Sequence, residues 1–234
     1  RMILGLLSNS NISKSGEIFF EEVDLLKESN ANIKKIRGNK ISMIFQDPVS
    51  SLNPFFTVRK QMQQALENHN QTFDTKETEE YFANLLRDVK IEDPARVLDS
   101  YAFQLSGGMA QRVMISMAMI NKPKLILADE PTTALDVTVQ KTVLSIMKEV
   151  VNQNKMSMLL ISHNLGVVRE FADRIYVIYQ GTILEEGTTK QIFNSPGHLY
   201  TQTLLQAIPK INSSRLPDLN TANIDYLKQP KFTH

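Results

Sequence analysis

The chain has 234 residues, with 26 Lys and Arg against 25 Asp and Glu, 42% hydrophobic residues and no cysteine. At roughly one domain per 100–200 residues, this length accommodates one large domain or a core with an inserted subdomain, and it suffices to bury a core. A formal charge of +1 gives no uniformly basic face for neutralising nucleic-acid phosphates, and the lack of cysteine excludes disulfides, thiolate zinc, iron–sulfur clusters and a thiol nucleophile.

Arg1 precedes Met2-Ile3-Leu4-Gly5-Leu6-Leu7, a six-residue run too short for a signal peptide and without a small-residue cleavage pattern. Opening on Arg1 is expected of a processed or truncated piece, or of a sequence that starts inside the gene product. Ile18-Phe19-Phe20 and Val23 to Leu26 read as short strands after Gly16, and Asn32 caps a short helix through Ile36 that stops at Gly38. Ile41 to Phe45 is a strand ending at Gln46, and the prolines and turn residues from Asp47 to Pro54 break the sheet pattern. Thr57 caps a helix with Val58, Met62, Ala65 and Leu66 inward, and Phe82, Leu85, Leu86 and Val89 mark another.

Alternating strands and helices follow: Leu125 to Ala128, a helix with Val139, Val143, Ile146, Met147 and Val150 on one face, then Met158 to Ile161. Apolar runs without alternation predict parallel strands buried on both faces. Arg174 to Tyr179 and Thr182 to Glu186, joined by Gln180-Gly181, read as a strand pair, and a polar tail follows Pro209. The longest strongly apolar stretch, Val113 to Ile120, is eight residues, far below the roughly 20 that span a bilayer, so membrane association must come through a partner. An α/β core interrupted by helices emerges.

Leu125 to Ala128 leads into Asp129-Glu130-Pro131, placing two carboxylates at the carboxyl edge of a buried parallel strand, where open α/β sheets bind ligands. One carboxylate there can hold Mg²⁺ and its neighbour can deprotonate an attacking water; equally, such a pair can be a solvated strand end. Leu105-Ser106-Gly107-Gly108 to Gln111-Arg112 opens a helix, and two glycines at a helix start leave backbone N–H groups open to a phosphate, or form only a loop and cap. Taken alone, His163 reads as a satisfied core histidine; its place after the strand Leu159 to Ser162 favours a functional role. Met109, Met114, Met117 and Met119 read as helix packing, His69, His198 and His234 lack metal-ligand spacing, and Lys76 to Glu80 form a solvated face.

Gln46, Leu105 to Arg112, Asp129-Glu130-Pro131, Ala134-Leu135-Asp136 and Ser162-His163 stand in the order and spacing that resemble the ABC transporter ATPase family. The resemblance implies an α/β fold, a RecA-like parallel-sheet core with an inserted helical subdomain and a small C-terminal extension. Its expected divisions are 1–46 (core), 47–122 (helical subdomain), 123–194 (core) and 195–234 (extension). It further implies ATP and Mg²⁺ as cofactors, with Asp129 and Gln46 toward the metal, Glu130 as catalytic base and His163 as the switch histidine. Ser106, Gly107, Gly108 and Gln111 would form the signature region closing over a partner's nucleotide, and Asp136 would be the D-loop aspartate.

Met43 to Pro48 with Ser51-Leu52-Asn53-Pro54, and His198-Leu199-Tyr200-Thr201 to Ala207-Ile208-Pro209, are similar to subunits energising uptake of oligopeptides, dipeptides or nickel. The implied partners are a second ATPase subunit, identical or related, transmembrane permeases and, indirectly, an extracellular solute-binding protein. The implied place is the cytoplasmic face of the membrane, peripherally held, with no nucleic acid bound. Leu199 stands where such extensions usually carry Pro, and Asn164 where Asp usually follows the switch histidine. No G-x-x-x-x-G-K-[ST] occurs in the sequence; Ile3 to Leu7 resembles the end of the helix that this loop opens, so the loop and the adenine-stacking aromatic are expected upstream of Arg1. A polypeptide truly beginning at Arg1 is expected to bind Mg-ATP weakly at most. The alternatives are a non-catalytic interaction module of the same fold and a soluble relative from DNA repair or translation; the 60-residue step from Gln46 to Ser106 leaves no room for the long coiled coils of chromosome proteins.

Overall fold

The computed structural model describes residues 1–6, 13, 15–69, 74–133, 135–207 and 225–234, which leaves Leu7, Ala134, Ile208 and Pro209 outside the described residues. Two compact units divide after Ile161.

In the first unit, β1 (Phe19–Phe20) and β2 (Val23–Asp24) form an antiparallel hairpin turning on Glu21 and Glu22, with φ of 49° and 68°. A two-residue turn with both φ positive matches strand twist but favours Asn-Gly, since a side chain in the left-handed region costs about 1–2 kcal/mol. Glu21 is held by Lys40 and Lys124, which keep its carboxyl below the usual range. Glu22→Gly is therefore expected to stabilise the fold by about 0.5–1 kcal/mol, and a urea midpoint that does not rise contradicts it.

Helix α1 (Asn30–Ile36) starts three residues earlier than expected, because Ser29, not Asn32, is its cap: the Ser29 hydroxyl accepts from the Asn32 N–H at 3.2 Å. The strand β3 (Ile41–Ile44) follows. The proline-rich break after Gln46 holds a short helix, α2 (Pro48–Ser51), because Asp47 caps it and Pro48 takes the first helical position, where its missing N–H costs nothing. Next come α3 (Val58–Glu67), capped by Thr57, α4 (Thr75–Asp88), capped by Asp74, and α5 (Pro94–Leu98), capped by Asp93. Val58, Met62, Leu66, Phe82, Leu86, Val97 and Leu98 are buried among them. The long α6 (Gly107–Met119) packs against α2, α3 and α4 and against β3. Buried Ser116 donates to the carbonyls of Leu85 and Arg112, both at 3.1 Å, so it carries no unsatisfied hydroxyl.

The three-stranded sheet runs β3, β4 (Leu125–Asp129), β5 (Ser157–Ile161), all parallel, with Ile44 beside Ala128 and Asp129 beside Ile161. The connection from β4 to β5 is α7 (Val137–Gln153), which buries Val143, Ile146, Met147 and Val150. Burial on both faces holds for β4 but not for β5. Among the described residues β5 pairs only with β4, and Leu159 and Ile161 remain 42% and 46% exposed. Leu4, Leu25, Ile33, Ile41 and Leu127 form a second core under the hairpin.

In the second unit, Asn164 caps α8 (Leu165–Phe171), its Oδ1 accepting from the N–H groups of Gly166 and Val167 at 3.0 and 3.3 Å. Asn and Asp cap almost equally well, so the departure from Asp at this position preserves the helix start. The strands β6 (Arg174–Tyr179) and β7 (Thr182–Thr188) pair antiparallel through the turn at Gln180-Gly181, as expected, and β7 runs two residues longer. Helices α9 (Thr189–Asn194) and α10 (Leu199–Gln206) follow. A strand that the sequence pattern did not reveal, β8 (Phe232–Thr233), adds parallel to β7.

Leu199 is the first residue of α10, after the extended cap residue His198 at φ −83° and ψ 135°. That geometry suits a following proline. Leu199→Pro is expected to leave stability unchanged or raise it by up to about 1 kcal/mol; a lowered melting temperature overturns this.

Glu185 in β7 is fully buried. Burial pushes its carboxyl upward, but Thr201, His234 and the N–H groups of Gly197 and His198 outweigh that and hold it below the ordinary range. Its stabilisation is thus complete above the ordinary carboxylate range and is lost as pH falls through the lowered value.

Candidate functional site

The parallel pairing of β3 with β4 brings their carboxyl ends side by side, so Gln46, two residues past Ile44, stands beside the end of β4. Its Nε2 donates to Oε2 of Glu130 at 3.1 Å, and the Thr133 hydroxyl donates to the same oxygen at 2.9 Å. Two donors on one oxygen fix the carboxylate's direction. Thr133 escaped the sequence reading, although its place three residues after Glu130 was the available signal.

Glu130 sits at φ 46°, in the left-handed region, and its N–H donates to the Ile161 carbonyl at 2.9 Å. A side chain held there costs about 1–2 kcal/mol, a strain typical of positions where the backbone must aim a side chain. Asp129 ends β4 half-exposed, with Oδ2 4.0 Å from Nε of Arg1. That pair is long and solvated, hence weak. Asp47, next to Gln46, is held below the usual carboxylate range by the N–H and hydroxyl of Ser50 and by the Val49 N–H.

The donor set suits Mg²⁺. Asp129 and the Gln46 amide oxygen are hard oxygen donors, and among the described residues no group of three His, Cys, Asp or Glu gathers that could hold a metal ion by itself. Mg²⁺ characteristically takes one or two carboxylates and completes its shell with water and phosphate oxygens.

A second cluster forms where α6 begins. The Ser106 hydroxyl caps the helix by accepting from the Met109 N–H at 3.3 Å, and Ser106 and Gly107 are exposed. Gly108 carries a packing duty as well, because a Cβ there would lie 2.7 Å from Cγ1 of Val139 in the first turn of α7. A Cβ on Gly107 would meet Leu135 at 3.5 Å. Asp136 caps α7, accepting from the N–H groups of Thr138 and Val139 at 3.1 and 3.0 Å. The glycine pair and the Asp136 turn are therefore neighbours.

Gln111 does not join them at the surface. With Met114, Ile115 and Ala118 it lies on the buried stripe of α6, fully enclosed, and neither polar atom of its amide finds a partner among the described residues. His163 belongs to the second unit, exposed on the loop between β5 and α8. Among the described residues, no helix is long and apolar enough to cross a membrane.

Residues 1–133 match the ABC transporter family, and residues 184–231 match the C-terminal region of oligopeptide/dipeptide transporters. The dipeptide transport ATP-binding protein DppD of Haemophilus influenzae is 44% identical over 219 residues, 93% of this chain and 66% of that protein. The peptidoglycan transport ATP-binding protein YejF of Agrobacterium fabrum is 48% identical over 196 residues, 84% of this chain and 36% of that protein. The chain thus spans less than two thirds of YejF and just under two thirds of DppD. The ATP-binding cassette MJ0796, solved as a dimer in a post-hydrolysis state with ADP and Pi, superposes with a TM-score of 0.66 at 27% identity, covering 75% of this chain and 74% of that one. Sequence and fold agree: this chain belongs to the ABC transporter family and has the α/β, RecA-like architecture of its ATPase cassettes.

Proposed function

We propose that the chain is the ATP-hydrolysing subunit of an importer for oligopeptides, dipeptides or nickel, and the named relatives favour peptides among these. The observation that carries this reading is the Gln46–Glu130–Thr133 arrangement beside Asp129. Glu130, aimed by two donors, is the base that takes a proton from the attacking water. Gln46 reports occupancy of the site through its bond to Glu130. Asp129 and the Gln46 amide oxygen would hold Mg²⁺, which when bound neutralises charge on the transferring phosphate. His163 would contact the γ-phosphate.

Ser106, Gly107 and Gly108 offer an N-terminal helix end to the nucleotide of a second ATPase subunit, with Asp136 holding the adjoining turn. Gln111, enclosed behind them, braces α6 from within. Residues 1–46 and 123–194 serve as core, 47–122 as helical subdomain and 195–234 as extension. Permease subunits hold the protein peripherally at the cytoplasmic face of the membrane, and a solute-binding protein delivers cargo on the other side.

Phosphate release from Mg-ATP, measured on the protein purified with its membrane subunits, tests the proposal. Release should require Mg²⁺ and fall at least about a hundredfold in Asp129→Asn, since a metal-held phosphate contributes several kcal/mol. Release that is indifferent to either change overturns the reading.

A further inference from the structure

Two elements meet at Oε2 of Glu130. Gln46 reaches it from the end of β3, and Thr133 from the turn that joins β4 to α7. The two donors are held very differently. Gln46 is exposed, and several rotatable bonds separate its amide from the backbone, a freedom that is costly to freeze. Thr133 carries its hydroxyl on a β-branched carbon behind a single stiff torsion, and its own N–H donates to the Glu130 carbonyl at 3.3 Å. One backbone bond and one side-chain bond between the same two residues therefore close a ring that contains the Glu130 side chain.

The turn is itself pinned along its described residues. The Ile161 carbonyl holds the Glu130 N–H at 2.9 Å, and Pro131 and Thr132 are buried. The Leu135 N–H donates to the Thr132 carbonyl at 3.1 Å, and Asp136 caps α7. Thr133 thus stands on a fixed base. Gln46 has a second task in the proposed reaction, where its amide oxygen would serve Mg²⁺. Oxygen and nitrogen belong to one planar amide, so a turn toward the metal moves the nitrogen that donates to Glu130 as well. A donor that must answer to the metal is a poor anchor for the base, whereas the Thr133 hydroxyl acts from within Glu130's own turn.

We propose that Thr133 is the positioning residue of the base: it keeps Glu130 aimed whether or not Gln46 holds its bond, and Gln46 answers chiefly to the metal. This rests on the assignment of Glu130 as the base. Thr133 acts through Glu130 alone, so its loss should slow turnover and spare binding, the mark of an interaction that matters only in the transition state. Loss of Gln46 should instead show first in the demand for Mg²⁺.

Phosphate release, Mg²⁺ titration and calorimetric Mg-ATP affinity, on the protein purified with its membrane subunits, separate these roles. Thr133→Val replaces the hydroxyl by a methyl and should lower kcat at least about tenfold, the scale on which a misplaced reacting group is felt. Its Mg-ATP affinity and half-saturating Mg²⁺ should stay within about twofold of the unaltered protein. Thr133→Ser keeps the hydroxyl and should recover roughly half of the unaltered kcat or more. Gln46→Ala should raise half-saturating Mg²⁺ at least about fivefold. Thr133 is exposed, so Thr133→Val should shift the melting temperature by no more than about 2 °C. Unchanged kcat in Thr133→Val, no recovery in Thr133→Ser, or a larger fall in melting temperature that tracks the lost rate each overturns the proposal. So does an Mg²⁺ demand that rises equally in Thr133→Val and Gln46→Ala, or in neither. Glu130→Gln, assayed alongside, keeps the two assignments apart. If it is slow and Thr133→Val is not, only the role of Thr133 falls; if it turns over normally, the base assignment falls and this inference with it.

Discussion

Glu130→Gln should leave Mg-ATP bound and cut steady-state phosphate release by at least two orders of magnitude, the usual scale for removing a general base. The geometry makes this substitution unusually clean. The carboxylate oxygen Oε2 accepts from Gln46 Nε2 and from the Thr133 hydroxyl, and an amide oxygen in its place accepts both bonds unchanged. The strained backbone at φ 46° accommodates a side chain of the same shape. What disappears is the capacity to take a proton, so binding and turnover should separate. Release within twofold of the unaltered protein removes Glu130 from the catalytic role. Loss of nucleotide binding together with turnover would instead place Glu130 among the groups that shape the pocket.

Elements whose borders are set by local chemistry were legible in the sequence. Thr57 before a periodic apolar run and Asp129 at the end of Leu125 to Ala128 are such cases, because a cap or a buried strand needs only its own residues to declare itself. The start of α1 was misplaced because two polar residues, Ser29 and Asn32, compete for the same cap, and only the structure shows which one accepts. The helix α2 hid behind Pro48, whose breaking tendency outweighed its preference for a first helical position. Neighbours distant in sequence were not readable at all: Val139 against Gly108 and β8 on β7 both depend on where another element packs. Gln111 shows the converse, since its place three residues after Gly108 in sequence says nothing of the helical rotation that turns it inward. The exposed β5 departs from the expected burial for a similar reason: an apolar run announces a strand but not what covers its faces.

Gly108→Asp should abolish ATP-driven association of two subunits, and the structure shows why that result alone is ambiguous. Any side chain there meets Cγ1 of Val139 at 2.7 Å, and forcing α6 and α7 apart costs about 1–3 kcal/mol as overpacking. For a chain of this size that corresponds to a melting temperature lower by roughly 2–12 °C. An aspartate at the second position of a helix is otherwise favourable toward the helix dipole, so the destabilisation comes from packing rather than charge. Its charge acts elsewhere, occupying the helix end with a carboxylate where a phosphate would bind. Pairing it with Val139→Ala separates the two effects, because trimming Val139 to its Cβ removes the methyl that the new side chain strikes. The double variant should regain most of the lost melting temperature and still fail to associate with ATP, measured by light scattering. Should association return with stability, Gly108 serves only to let α7 approach α6, and the assignment of this helix end to a partner's nucleotide falls.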